Sequence, residues 1–196
     1  STPRARKERN AMSYNEFNLK GLIVTVPNTG GDRFNVVVIY GGQDYANRRW
    51  MQKQTPAESM DKAICVFAEY KMAYTPVIQQ LGPFLTENKL QATGVGGASI
   101  MGFSAGGYPT LDAYRSTHKF IGLMDPSFRE AHLTRTYSTN VAMLWGSSGQ
   151  VGLFGEENFK KLEAAIQKGG GFSERLKLDH EKFPQVFMNR FKSRLF

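Results

Sequence analysis

The sequence predicts an α/β fold: a mostly parallel central sheet with helices on both faces. Three observations predict it. Short apolar runs of strand length, such as Asn35–Ile39 and Ala63–Ala68, alternate with segments of helical period. Most of these runs end at glycine, proline or aspartate, where a strand gives way to a turn. No Pro/Ser-rich linker divides the 196 residues, so one core is expected. Strand–helix alternation buries a parallel sheet between two helical layers.

The elements follow in order. Residues 1–15 read as a basic N-terminal arm, and 16–196 as a single domain. Leu22 to Val26 reads as a strand closed by Pro27-Asn28. Phe34 to Tyr40 is rich in β-branched residues and stops at Gly41-Gly42. Ala63 to Tyr70 is a candidate strand whose pattern also permits a helix. Thr75 to Asn88 reads as a helix with Thr75 as cap and Pro76 in the first turn; Gly82-Pro83 is a point of possible interruption. Ala98 to Phe103 is a short strand and Ala105 to Ser116 a helix. Phe120 to Met124 and Val141 to Trp145 are strands, ending at Asp125 and Gly146. Glu156 to Lys168 is an amphipathic helix. Phe172 to Leu178 is a weak strand that the order of elements requires, and Phe183, Phe187 and Phe191, with Val186 and Leu195, make a terminal helix.

Composition narrows the function. No run approaches the roughly 20 apolar residues of a membrane span. No secretory h-region is visible at the N-terminus. Cys65, the single cysteine, lies in an apolar run and reads as a buried core thiol, which excludes internal disulfides and multi-cysteine metal sites. A cytoplasmic, reducing location is the expectation. The net charge is +8, with Arg4, Arg6, Lys7 and Arg9 near one end and Lys182, Arg190, Lys192 and Arg194 near the other. These basic termini suit an acidic partner or simply a solvated surface; no nucleic-acid motif accompanies them.

Parallel sheets of this kind bind ligands at the carboxyl ends of their strands. That rule selects Gly41-Gly42-Gln43, Ser104, Asp125, Gly146-Ser147 and His180. Gly102-Phe103-Ser104-Ala105-Gly106 is a G-x-S-x-G pattern set between an apolar strand and a helix. The glycines permit a turn sharp enough to project the serine hydroxyl from the sheet. A serine needs a base. His180 follows the last strand, so it arrives at the same edge as Ser104; His118 precedes a strand and falls at the opposite edge, and His132 is a second choice. The base needs an acid, and Asp125 ends the strand after the nucleophile. Asp179 adjoins the histidine in sequence, while Glu156 and Glu157 suit the first turn of a helix. For a developing oxyanion, Ala105 N–H is one donor. The second comes from the turn after Tyr40, with Gly42 as first choice and Gln43 as the alternative.

These motifs resemble the α/β-hydrolase family over about residues 20–196. Val36-Val37-Val38-Ile39-Tyr40-Gly41-Gly42 is similar to the family's strand ending in a His-Gly oxyanion turn, with Tyr40 in place of the histidine. Gly102 to Gly107 matches its nucleophile elbow, and the order Ser104, Asp125, His180 is the family's order. The turn where many members carry the acid reads Gly146-Ser147-Ser148-Gly149, without a carboxylate; some members carry it one strand earlier, where Asp125 stands. The resemblance implies a serine hydrolase acting on a carboxylic ester or thioester, with no metal or organic cofactor. Only about 15 residues separate Asp125 from Val141, which implies a lidless site open to small-molecule or polymer-borne esters. Trp50, Met51, Tyr74 and Phe154 are candidate wall residues that equally suit plain packing. The alternative is a catalytically inert module of the same fold that binds or assembles through its basic termini.

Overall fold

A computed structural model describes residues 13–93 and 97–196. In chain order the elements are β1 (Tyr14–Leu19), β2 (Leu22–Pro27), β3 (Arg33–Phe34), β4 (Val36–Tyr40), α1 (Arg48–Gln54), α2 (Ala57–Met60), β5 (Ile64–Ala68) and α3 (Tyr74–Glu87). Then come β6 (Gln91–Ala92), β7 (Ser99–Phe103), a 3-10 turn at Ser104–Gly106, α4 (Gly107–Ala113), β8 (Ile121–Met124), α5 (Glu130–Leu133) and β9 (Val141–Trp145). The chain ends with α6 (Ser148–Phe154), α7 (Glu156–Lys168), β10 (Phe172–Arg175), a second 3-10 turn at His180–Lys182, and α8 (Phe183–Leu195).

Eight strands form one sheet in the order β1-β2-β5-β4-β7-β8-β9-β10, with β3 and β6 as a separate two-residue ladder. β1 and β2 are antiparallel additions at one edge; from β5 to β10 every pair is parallel. Continuous apolar runs are what such a doubly covered sheet demands. Along β4, Val36, Val38 and Tyr40 enter the core beneath α3, α4 and α7, whereas Val37 and Ile39 enter the core beneath α1, α2 and α8.

The chain leaves β4 towards β5 on one side and returns to β7 on the other, so β4 and β7 bracket the point where the winding reverses. In open α/β sheets, ligands bind at such a reversal, outside the carboxyl ends of the strands. The registers Tyr40↔Gly102 and Phe103↔Met124 bring the loops after β4, β7 and β8 out at one level.

Several boundaries differ from the sequence reading. β1 begins at Tyr14, inside the segment read as an arm; the rest of that arm, residues 1–12 with its four cations, lies outside the described residues. Ile64–Ala68 is a strand because β2 and β4 flank it on both sides. α3 starts at Tyr74, so Thr75 lies within the first turn and does not cap it. The helix runs through Gly82-Pro83, whose exposed position leaves the freed carbonyl to water. The helix after Ser104 begins as a 3-10 turn and ends at Ala113, where Tyr114 adopts extended backbone. β10 stops at Arg175, although Leu176 N–H still donates to Trp145 O.

Candidate active site

Ser104 has φ +55°, a left-handed conformation that costs a non-glycine residue about 1–2 kcal/mol. The surroundings enforce it. A Cβ on Gly102 would collide with Gly106 O, and one on Gly106 would lie 2.6 Å from Tyr40 O and 2.7 Å from Gly41 O. Glycine at both positions lets β7 reverse into the 3-10 turn while pressed against the loop after β4. Ser104 O accepts from Ser127 N–H at 2.8 Å, which ties the elbow to the loop after β8.

Asp125 is fully buried. Its own φ is +45°, a region aspartate and asparagine tolerate better than other residues. Its carboxylate accepts four hydrogen bonds. Gly146 N–H donates to Oδ1 at 3.0 Å and Ser147 N–H at 3.4 Å; the Ser147 hydroxyl donates to Oδ2, and His180 Nδ1 lies 2.6 Å from Oδ2. Every one of these partners offers a hydrogen to the carboxylate oxygens. With Nδ1–H pointed at a carboxylate, the lone pair of His180 lies on Nε2, the tautomer a general base requires. The imidazole packs on Phe103, the residue before Ser104, with ring centroids 4.5 Å apart. The structure therefore brings Asp125 and His180 together, and His180 against the strand that carries Ser104. Among the described residues no hydrogen bond joins Ser104 Oγ to the ring; such bonds often tighten only around substrate.

The turn Gly146-Ser147-Ser148-Gly149 carries no acid of its own, and instead holds the one from the neighbouring strand. Ser147, picked out in the sequence by its strand-end position alone, has Asp125 as its partner. Its hydroxyl also accepts from Gln150 N–H at 3.3 Å as the cap of α6. Gln150 adds a second layer, its Nε2 donating to Asp125 O at 3.1 Å and to Ser127 Oγ at 3.3 Å. The strand-end rule selects Gly146-Ser147 in the sequence but does not say that Ser147 pairs with the aspartate of the neighbouring strand.

One assignment is corrected. Gly42 N–H donates to Ala46 O at 2.7 Å and is spent inside its own turn. Gln43 N–H has no protein acceptor among the described residues, nor has Ala105 N–H, so the alternative, Gln43, replaces Gly42 as the free donor. Gly42 has a steric duty: a Cβ there would lie 3.0 Å from Ser104 Cβ. Tyr40 turns away from the site into the α3–α4 core.

The other histidines lie elsewhere. His132 is buried; its Nδ1 accepts from Arg129 N–H at 2.9 Å and its Nε2 lies 2.8 Å from Asp112 Oδ1. His118 packs edge-on against Tyr74 at 5.4 Å. Burial lowers the pKa of both: against the opposing Asp112 bond in His132, and with help from Arg115 in His118. The unfolded chain thus binds more protons than the native one just below the ordinary histidine pKa of about 6.5. Native stability should be fully present above that value and should decline as pH falls through it. Thermal unfolding midpoints at pH 7, 6 and 5 test this; no decline across that range would refute it.

Glu156 pairs with Arg175, and Glu157 lies 3.9 Å from Lys160. Met51 is fully buried and Phe154 packs on Phe128, so neither walls the site; Tyr74 lines a separate cleft with Tyr108 and Arg129. Near the C-terminus, Arg190 pairs with Glu174, Lys192 lies 4.0 Å from Glu58, and Arg194 covers the Phe120 ring. Burial pushes the Cys65 thiol up to about 12, as expected of an inert core thiol. Between Asp125 and β9 the only described helix is the four-residue α5. No described helix is long and apolar enough to cross a membrane, and no three described His, Cys, Asp or Glu side chains cluster as metal ligands would.

No protein-family model matches the chain, and no curated protein sequence matches it. Its fold is similar to solved structures. An S-formylglutathione hydrolase from Staphylococcus aureus superposes with a TM-score of 0.66 at 11% identity, over 95% of this chain and 97% of that one. An S-formylglutathione hydrolase from Agrobacterium tumefaciens gives 0.61 at 14%, over 95% and 96%. The CE1 ferulic acid esterase of Anaeromyces mucronatus gives 0.56 at 16%, over 100% and 97%. The chain has the α/β-hydrolase fold, with a mostly parallel central sheet between two helical layers.

Proposed function

We propose that this chain is a serine hydrolase of carboxylic esters or thioesters. The observation that carries the reading is the buried Asp125 carboxylate 2.6 Å from His180 Nδ1, with that imidazole against the strand that ends in the strained Ser104. In this reading His180 Nε2 takes the Ser104 proton as Oγ attacks the carbonyl carbon. Ala105 N–H and Gln43 N–H receive the oxyanion. The proton passes to the departing oxygen or sulfur, the acyl group stays on Ser104, and water activated by the same imidazole releases it. The chemistry needs no group beyond these residues. The hydrolase and esterase names of the structures with this fold agree with it.

A fluorophosphonate probe tests the nucleophile. Labelling should map to the peptide that contains Ser104 and should compete with nitrophenyl esters of graded acyl length. A folded protein that neither labels nor hydrolyses any of them overturns the proposal, and leaves the inert module that docks an acidic partner through its basic termini.

A further inference from the structure

The machinery proposed above leaves a row of aromatic side chains unused. Tyr45 stands in the turn that carries Gln43 and is 53% exposed. Its ring meets Trp50 edge-on, with centroids 5.3 Å apart and planes at 83°. Trp50 stacks on Phe103 at 5.4 Å and 28°, and Phe103 lies against His180. The row thus runs from solvent to the base. Burial, and then the negative charge of Glu181, raise the pKa of the Tyr45 phenol. Phe103 and Met51 are sealed in the core, whereas Trp50 is half-buried and Tyr45 open. Packing accounts for the inner members and does not account for an open tyrosine held edge-on over a tryptophan.

The geometry of acyl transfer decides what meets this row. The carbonyl oxygen must point at the N–H groups of Ala105 and Gln43. The departing oxygen must face His180 Nε2, which returns the proton taken from Ser104 Oγ. As the bond from Oγ to the acyl carbon forms and the bond from that carbon to the alcohol oxygen breaks, the alcohol leaves on the His180 side. The aromatic row reaches His180 through Phe103 and continues outward to Trp50 and Tyr45. We infer that Tyr45 and Trp50 form a leaving-group subsite for a neutral planar aromatic group, so that the preferred substrates are esters of aromatic alcohols. Two aromatic faces meeting at 83° offer one stacking and one edge contact to a third ring. The negative charge of Glu181 felt at Tyr45 disfavours an anionic leaving group.

This inference rests on the serine-hydrolase reading, and the experiment separates the two. Benzyl, cyclohexylmethyl and methyl butyrate share one acyl group and differ in the alcohol. The wild type should favour the benzyl over the cyclohexylmethyl ester in kcat/KM by about threefold to tenfold, the range of an aromatic pair beyond its area. Tyr45→Ala should lower the benzyl-to-methyl ratio about tenfold and erase the benzyl-to-cyclohexylmethyl preference; Tyr45→Phe should keep both. A fall in step on all three esters overturns the subsite. So does equal loss on the benzyl and cyclohexylmethyl esters, or a change that follows acyl length and not the alcohol. In each of these outcomes Ser104 still labels and turns over. Absence of labelling and of all hydrolysis overturns both readings.

Discussion

Ser104→Ala should lower kcat for an activated ester by at least about four orders of magnitude and abolish fluorophosphonate labelling. Removing a nucleophile that acts as a unit with its base leaves only what binding and the oxyanion donors supply. The same position should show a cost in stability that alanine does not relieve. With φ at +55°, serine and alanine both carry the left-handed penalty, and glycine does not. Ser104→Gly should therefore be about 1 kcal/mol more stable than Ser104→Ala, a rise of about 2–4 °C in Tm for a domain of this size. Both variants should be equally inactive. Ester turnover under steady state and calorimetric unfolding of the three proteins measure the two effects separately. Residual turnover near wild type in the alanine variant would remove Ser104 from the mechanism. Equal stability of the glycine and alanine variants would mean that the elbow stores no strain.

The readable parts of this fold and the unreadable ones differ in physical kind. β4, β5, β7, β8 and β9 are buried on both faces, and such strands must be written as unbroken apolar runs. α7 keeps one stripe against the core and matched its sequence pattern residue for residue. β1 was lost because an edge strand touches the core on one side only, and its residues Tyr14-Asn15-Glu16-Phe17 read as polar. Arg48–Gln54 and Ser148–Phe154 were lost because each spans two turns and buries one or two residues, too few to show a period. At the site, residue type and strand-end position selected Ser104, Asp125 and His180 with only three histidines to choose from. The donor in the turn after β4 was misassigned for a different reason. Whether Gly42 N–H is free depends on a bond to Ala46 O made by the fold of that turn, and composition carries no trace of it. Ser147 is selected by its strand-end position, but its bond to Asp125 exists only once β9 lies beside β8.

Asp125→Asn should lower kcat by about four orders of magnitude while leaving the backbone in place. The four hydrogen bonds to this side chain all come from donors: Gly146 N–H, Ser147 N–H, the Ser147 hydroxyl and His180 Nδ1. An amide keeps one acceptor oxygen. If that oxygen stays on the two N–H groups of the turn, the amide nitrogen faces His180 and donates to Nδ1. The ring proton then moves to Nε2, and the base has no lone pair for the Ser104 proton; loss of the correct tautomer costs about 10⁴ in comparable sites. The backbone gives no objection, because asparagine tolerates φ near +45° as well as aspartate does. The Ser147 hydroxyl meets a donor in place of an acceptor and must turn elsewhere, so a stability loss of about 1–3 kcal/mol accompanies the kinetic one. Near-UV circular dichroism and denaturant unfolding establish that the variant is folded, and single-turnover acylation then reads the chemical step alone. Asp125→Asn turning over within tenfold of wild type would show that another group orients the imidazole. The pairing at 2.6 Å would then be structural, and the buried carboxylate would serve mainly to fasten the loop after β9 to the end of β8.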